Sequence, residues 1–436
     1  MGAAGRDFHD FQTFFRAQPG FRVVAFTATQ IPFIDQRSFP RALAGGDYAE
    51  DIPIFSEERL EALIERLKID FVFLSYSDLP HEEVMHKASR VQAAGAAFAL
   101  LGPRQTELRA RRPVVAVTAV RTGAGKSPLS QYLARHLHRR GVRAGVIRHP
   151  MPYGDLEKQA VQRFASAEDM SRAHCTIEER EEYEPYVEQG LVVFAGVDYA
   201  RVLAAAEEES DLVLWDGGNN DTPFIRPDLS LVVADALRPG HELRFYPGET
   251  NLRRADVVVI DKVSGAKPDD VAMIRANIQG ANPRADIVEA DLDIELDDAG
   301  RVRGRRVLVV EDGPTVTHGG MGYGAGTIAA ERAGAAELVD PRPAAVGTLA
   351  DTFRRYPHLE RVLPAMGYSE AQLADLAETI RRSRAELVVD ASPARLDRVL
   401  TLEVPLVRVS YRFHQLSGPL LTDRVDALLE RGGMNR

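Results

Sequence analysis

Cysteine is almost absent. One residue, Cys175, in a chain of 436 excludes an internal disulfide and fits a reducing compartment. Long apolar runs are missing: no stretch reaches the length of a membrane span. The first residues also lack the charged start and apolar core of a signal peptide. A cytoplasmic protein without a membrane partner is therefore expected. Positive charge is in deficit, with 54 Lys and Arg against 64 Asp and Glu and a net charge of −10, which argues against nucleic acid as the main partner. An anionic substrate would need local basic pockets in this acidic body. No internal repeat or low-complexity segment is evident. What is present, 45% hydrophobic and 27% charged residues, is an ordinary globular composition with length enough for two or three domains.

The most informative stretch is residues 114–130, Val-Val-Ala-Val-Thr-Ala-Val-Arg-Thr-Gly-Ala-Gly-Lys-Ser-Pro-Leu-Ser. An apolar run of strand length enters a glycine turn, then Lys126 and Ser127, then a helix, which is the layout of a phosphate-binding loop. Backbone N–H groups around Gly123, Ala124 and Gly125 can converge on phosphate oxygens. Lys126 supplies a point charge, and Ser127 can ligate Mg²⁺. Pro128 suits a first helical turn, Leu129, Leu133 and Leu137 share one face, and Gly141 can cap the end. Val120 stands where the usual pattern has its first glycine. An ordinary strand-to-helix turn carrying Gly-Lys-Ser is the plain alternative.

A partner for this loop lies downstream. Residues 211–221 form an apolar run ending Trp-Asp-Gly-Gly-Asn-Asn-Asp. Asp216 is placed to hold Mg²⁺, Gly217 and Gly218 let backbone approach the γ-phosphate, and Asn219, Asn220 and Asp221 crowd the same spot. Asp155 and Arg238 are further candidates for metal or phosphate contact. Residues 255–260 form a strand followed by Asp261-Lys-Val-Ser. GTP-binding proteins usually have Asn-Lys-x-Asp here, so Lys262 and Ser264 are expected at the base. Ser264 cannot reproduce the paired acceptor of a carboxylate, which predicts ATP over GTP. The acidic residues 157–188 read as a solvated helical face.

Ahead of the loop, residues 1–112 alternate strand and helix: strands at 21–27, 70–75 and 97–101, helices at 57–67 and 81–94. This is a Rossmann-like parallel sheet domain. Ligands in such sheets meet the carboxyl ends of strands. Arg6, Asp7, His9, Thr27, Thr29, Gln30, Ser75, Ser77 and Asp78 then share one rim, with Arg37, Arg41 and Arg104 as anion contacts. Gly2 and Gly5 have the spacing of a strand-to-helix glycine pair without room for the strand, which suggests a start assigned too late. The expected division is 1–112 Rossmann-like, 113–282 P-loop nucleotide-binding and 283–436 a C-terminal α/β region packed on the P-loop domain.

In the last region a strand at 307–310 runs into Glu311-Asp-Gly-Pro-Thr-Val-Thr-His-Gly-Gly-Met-Gly-Tyr-Gly-Ala-Gly and then a helix. Five glycines between Gly319 and Gly326 expose a run of N–H groups beside a helix start, an anion-binding arrangement. Glu311 and Asp312 are candidates for a second cation, and Thr315, Thr317 and His318 for substrate phosphate. A flexible glycine linker is the alternative.

These stretches together resemble the cyclic 2,3-diphosphoglycerate synthetase family, whose bacterial members include predicted GTPases. The likeness rests on residues 2–9, 26–32, 121–127, 216–221 and 311–321, the last two being the most specific. The family usually has a strand before Gly2. The resemblance implies an ATP- and Mg²⁺-dependent ligase that closes an intramolecular phosphoanhydride in 2,3-diphosphoglycerate and releases ADP and phosphate. Lys126, Asp216, Arg238 and His318 would form its catalytic set. Residues 122–127, 217–220, Lys262 and Ser264 would contact nucleotide. Ser127, Asp216, Glu311 and Asp312 would hold metal. The substrate would be a small anion and the protein a homo-oligomer, expected as a dimer. Rival readings are a P-loop switch that binds a protein partner, a related ligase or kinase acting on another anionic metabolite, and a non-catalytic binding module.

Overall fold

The strand Val114–Ala119 is buried at every position. It lies between Leu212–Trp215 and Leu229–Asp235, both parallel to it, with Trp215 opposite Ala116 and Val233 opposite Ala119. Beyond Leu212–Trp215 come Ala144–Ile147 and Val192–Ala195, then the antiparallel Gln162–Phe164. Beyond Leu229–Asp235 come Val257–Asp261 and the start of Asp286–Leu296. Near-continuous Val, Leu and Ile in these strands is the composition of a parallel sheet covered on both faces. The computed structural model describes residues 1–2, 5–29, 37–149, 154–218, 221–317, 319–365, 370–393 and 396–431.

By compactness the chain divides into two units. One comprises Met1–Ser166, Tyr186–Ala290 and Gln415–Arg436, the other Ala167–Pro185 and Asp291–His414. The expected boundaries at 112 and 282 both fall inside the first unit. The physical reason is a shared core: Phe8, Phe11, Phe26 and Phe39 from the start of the chain pack in one cluster with Leu156, Ala160 and Val197.

Within the first unit, the N-terminal segment carries two small sheets. Phe26–Ala28 pairs with Ile52–Ser56 in parallel, Ser38–Phe39 adds antiparallel, and Phe71–Phe73 pairs with Ala97–Ala99. The strand expected over 21–27 is confined to Phe26–Ala28, because Phe21 and Val24 are exposed. Residues 6–13, assigned to no element from sequence, form the helix Arg6–Thr13, buried along nearly its whole length.

The second unit is again α/β. Arg306–Glu311 pairs in parallel with Leu387–Ala391, Val362–Pro364 and Glu337–Leu338, and Leu387–Ala391 pairs with Leu406–Ser417. The acidic stretch, read as a solvated helical face, is helical over Ala167–Arg172 and Ile177–Val187, but Tyr183 of the second helix is fully buried, as is Tyr186, which belongs to the first unit. Among the described residues no helix is long and apolar enough to cross a membrane.

Candidate functional site

Parallel strands deliver their C-terminal residues to one edge of the sheet. In the first unit the strand Val114–Ala119 ends in the loop 120–125, and its neighbour Leu212–Trp215 ends at Asp216. Lys126 is the first residue of the helix Lys126–Arg139. Its Nζ donates to Asp216 Oδ1 at 2.6 Å, to Gly217 O at 3.1 Å and to Asp216 O at 3.3 Å.

Asp216 is fully buried and heavily bonded. Its Oδ1 also accepts from Ser130 Oγ at 2.9 Å, and its Oδ2 accepts from Tyr186 Oη at 2.5 Å and from Arg148 Nη1. Arg148 Nη1 donates as well to Asp216 O at 2.7 Å. Burial disfavours a charge here, but Arg148 and Lys126 outweigh it and hold the carboxyl below its ordinary range. Burial and the Asp216 charge push the Tyr186 hydroxyl well up, so it stays a donor. The serine touching Asp216 is Ser130, one turn beyond Ser127, which is half-buried. Metal ligation directly by Asp216 would have to displace one of these donors.

The loop itself is held from behind. Asp235 Oδ2, at the end of the strand Leu229–Asp235, pairs with Arg238 and with Lys262 Nζ, each at 2.9 Å. Arg238 Nη2 donates to Thr122 O at 2.7 Å and Lys262 Nζ to Gly123 O at 2.5 Å. Arg238, expected to reach phosphate, instead ties Asp235 to the loop backbone. Lys262 likewise braces the loop, while Ser264 is exposed on the short turn Val263–Gly265.

Gly125 is required at its position. Its φ is +114°, and a Cβ there would fall 2.0 Å from Asp261 Oδ2. Gly125→Ala is expected to cost about 1–3 kcal/mol from the backbone conformation alone, with the clash added. Thermal melting checks this, and an unchanged melting temperature would refute it.

Several residues of the expected rim converge beside this constellation. Arg6 donates to Thr222 O at 3.0 Å and to Thr106 Oγ1 at 3.3 Å. His9 Nε2 donates to Thr106 O at 2.6 Å, and its ring stacks on Phe224 at 4.0 Å. His149 Nε2 lies 3.3 Å from Asp221 Oδ2. Asp7, Asp10 and Asp221 are buried here, and burial raises all three carboxyls, Asp7 to about 6. Asp78 instead pairs with Arg121 at 2.7 Å. Arg41 and Arg104 are exposed, and Arg37 donates to Gly154 O. Asp155 is exposed and caps the turn that follows it through Glu157 N.

The two histidines imply a pH dependence. Burial first, then neighbouring arginines (and Lys126 for His149), lower each from 6.5 to about 3. Below pH 6.5 the unfolded chain takes up these protons and the folded chain does not. Stability is therefore fully present above 6.5 and lost as pH falls toward 3. Near pH 5 each histidine is expected to contribute a slope of about 1.4 kcal/mol per pH unit at most. Denaturant unfolding between pH 7.5 and 4.5 measures this slope, and His9→Gln should remove about a third of the histidine part, because burial and then Arg121 also lower His241, to about 4.

In the second unit the glycine-rich turn is filled by the chain itself. Glu311 Oε1 accepts from Gly324 N at 3.0 Å, from Thr327 N at 2.8 Å and from Thr327 Oγ1 at 2.9 Å, and Oε2 accepts from Gly326 N at 3.2 Å. The N–H groups expected to bind an outside anion thus cap the helix Ala325–Arg332 onto Glu311. Asp312 accepts from Thr315 Oγ1, and Thr317 Oγ1 donates to Gly313 O. Gln30, Asn219, Asn220 and His318 lie outside the described residues. Among the described residues no group of three or more His, Cys, Asp or Glu is arranged to hold a metal ion.

Sequence reasoning missed Ser130, Arg148, Tyr186 and Asp10. Ser130 carried a signal, since it follows Lys126 by four residues on one helix face. Arg148 did too, standing at the carboxyl end of the strand Ala144–Ile147. Tyr186 carried none.

No protein-family model matches the chain. Among curated proteins it is 55% identical over 423 residues to "Arginine synthetase ArcE" of Thermococcus kodakarensis, covering 97% of this chain and 94% of that one. Over 144 residues it is 34% identical to a tetraacyldisaccharide 4'-kinase of Pseudomonas paraeruginosa, covering 32% of this chain and 40% of the kinase. Among solved structures, LpxK from Aquifex aeolicus in complex with ATP aligns with a TM-score of 0.41 at 12% identity, over 80% of this chain and 95% of that one. The first relationship extends over nearly the full length of both proteins, and on it the chain belongs to the family of the arginine synthetase ArcE.

Proposed function

We propose that the chain is an ATP- and Mg²⁺-dependent synthetase that forms arginine. The observation that carries the reading is the pairing of Lys126 with the Asp216–Gly217 backbone at the mouth of a glycine loop, in a chain that matches an arginine synthetase end to end. The loop residues fit a nucleotide's phosphates. Lys126 brings a cation to them, the helix start adds partial positive charge, and Thr122 Oγ1 is buried without a hydrogen-bond partner. Ser127 and Asp216 are the oxygens proposed to hold Mg²⁺, which would neutralise phosphate charge when bound.

The chemistry such a site can supply toward a guanidinium is activation of a ureido oxygen. The γ-phosphoryl group passes to that oxygen and ADP leaves. Ammonia then adds at the ureido carbon and phosphate departs, so ureido compound, ammonia and ATP give guanidinium, ADP and phosphate. The protein's part is to bring anions together, so Lys126 and the helix start carry the largest share. Ser264 in place of a carboxylate favours ATP over GTP.

A second reading is supported by the motifs at 216–221 and 311–321: closure of the phosphoanhydride in 2,3-diphosphoglycerate. One experiment separates them. Protein with ATP and Mg²⁺ is given citrulline plus ammonium, or 2,3-diphosphoglycerate, and followed by phosphorus NMR and amino-acid analysis. New arginine with stoichiometric phosphate supports the first reading. A cyclic pyrophosphate signal supports the second. ATP loss without either product would sink both and favour the switch.

A further inference from the structure

The phosphate loop at 120–125 is braced on two sides. On one side Arg238 and Lys262 take the Thr122 and Gly123 carbonyls. On the other, the side chain of Arg121 reaches away from the loop. Its Nε donates to Asp78 Oδ1 at 2.7 Å and its Nη1 to His241 Nδ1 at 3.0 Å. The guanidinium lies 3.7 Å from the centroid of the Phe245 ring, and the residue is buried. An arginine that gives two hydrogen bonds and stacks on a ring is fixed in direction as well as in charge.

What holds Arg121 is itself an ordered piece of the fold. Leu79–Pro80 and Phe245–Tyr246 pair antiparallel, and His81 N donates to Arg244 O at 2.9 Å. This ribbon has Asp78 just ahead of one strand and Phe245 at the start of the other. The chain beyond it meets the loop again at Gly248, where a Cβ would fall 2.2 Å from Val120 O. Ser77, the residue before Asp78, hydrogen-bonds the carboxylate of Asp221. Residues 77–78 therefore touch both the phosphate loop and the rim beyond Asp216 and Gly217. Arg238 and Lys262 tie the loop to its own sheet, and Arg121 ties it to that rim.

Phosphoryl transfer needs the acceptor oxygen in line with the γ-phosphorus, and a misplacement of about 1 Å can cost about a hundredfold in rate. We propose that Arg121 is a positioning residue for this step: through Asp78 it sets the phosphate loop against the rim, so that ATP and its acceptor meet in register. The proposal rests on the reading of the loop as an ATP site whose acceptor lies at the rim beside Asp221. Arg121 acts through the loop backbone and not on the reacting atoms.

The test follows arginine and ADP together in whole protein supplied with ATP, Mg²⁺, citrulline and ammonium, comparing wild type with Arg121→Met, Arg121→Lys and Asp78→Asn, with thermal melting on the same samples. In Arg121→Met, kcat for arginine is expected to fall about tenfold to a hundredfold. KM for ATP should hold, because Arg238 and Lys262 still take the loop carbonyls. ADP should appear in excess of arginine, as water takes phosphoryl groups that the acceptor misses. Arg121→Lys should not restore the rate, since an ammonium keeps the charge but not the fork or the flat face. Asp78→Asn should raise the ratio of ADP to arginine in the same direction. If Arg121→Met does not fold, the lysine and asparagine variants decide. Folded variants with the wild-type kcat and ratio overturn the proposal, and so does full rescue by Arg121→Lys, which would reduce the link to a charge pair. A wild type that forms no arginine sinks the synthetase reading alone. With 2,3-diphosphoglycerate then given as acceptor, unimpaired transfer by Arg121→Met would overturn the positioning role.

Discussion

Lys126→Ala is expected to lower kcat for ATP turnover by about a hundred- to a thousandfold, the usual effect of removing one positioned charge from a site where anions react. The fold should survive the change. Asp216 keeps Ser130, Tyr186 and Arg148 when Lys126 is gone, so the buried carboxylate retains a counter-charge and two hydroxyl donors. A nucleotide can therefore recruit the ammonium without leaving Asp216 bare. Paired measurements of turnover and melting temperature decide the point. A variant that stays folded but turns ATP over at the wild-type rate would remove Lys126 from the chemistry.

The opposite variant should reverse the pattern. Asp216→Ala leaves Lys126 and Arg148 facing each other across a site with no carboxylate between them. Arg148 is itself nearly inaccessible, at 3% exposure, and Lys126 is at 9%. Breaking a buried ion pair from one side costs about 3–5 kcal/mol, because the remaining charges lose their compensation while staying out of water. Asp216 anchors two cations, so the upper part of that range is expected. Denaturant unfolding of Asp216→Ala and Asp216→Asn measures it. The asparagine variant should recover part of the loss, since an amide oxygen still accepts one hydrogen bond. If both variants unfolded at the wild-type midpoint, Asp216 would not be the electrostatic centre described.

The contrast between these residues shows what the amino-acid order made legible. The glycine turn, Lys126 and the helix after it are neighbours in the chain, so their chemistry reads directly. The apolar run ending in Asp216 reads equally well, because a strand with an acidic terminus is a local pattern. What surrounds Asp216 does not read that way. Arg148 and Tyr186 reach it from 68 and 30 residues away, and Tyr186 lies in a stretch dense in glutamate, where composition points to water.

The same limit governs the first 112 residues. Alternating helices and strands were evident, yet the strand at 21–27 shrank to Phe26–Ala28, since hydrophobicity does not reveal which residues find a pairing edge. The basic residues picked out as anion contacts were judged by charge alone. Two of them, Arg41 and Arg104, face solvent, while the buried rim is richer in carboxylates than expected. The Phe8–Phe39 cluster takes in Leu156 and Val197, and no linker composition announces a core shared across two segments.

Glu311 gives the second unit a built-in rival for any phosphate. Its carboxylate hangs from the end of the strand Arg306–Glu311, within hydrogen-bond reach of the helix start at 324–327, so it returns to those amides each time a visitor leaves. A free anion competes with a group whose local concentration never falls, and its apparent affinity is lowered accordingly. Unmasking the amides by Glu311→Ala would turn a self-closed latch into an open receptor, and sulfate or phosphate should then raise the melting temperature of that variant more than that of the wild type.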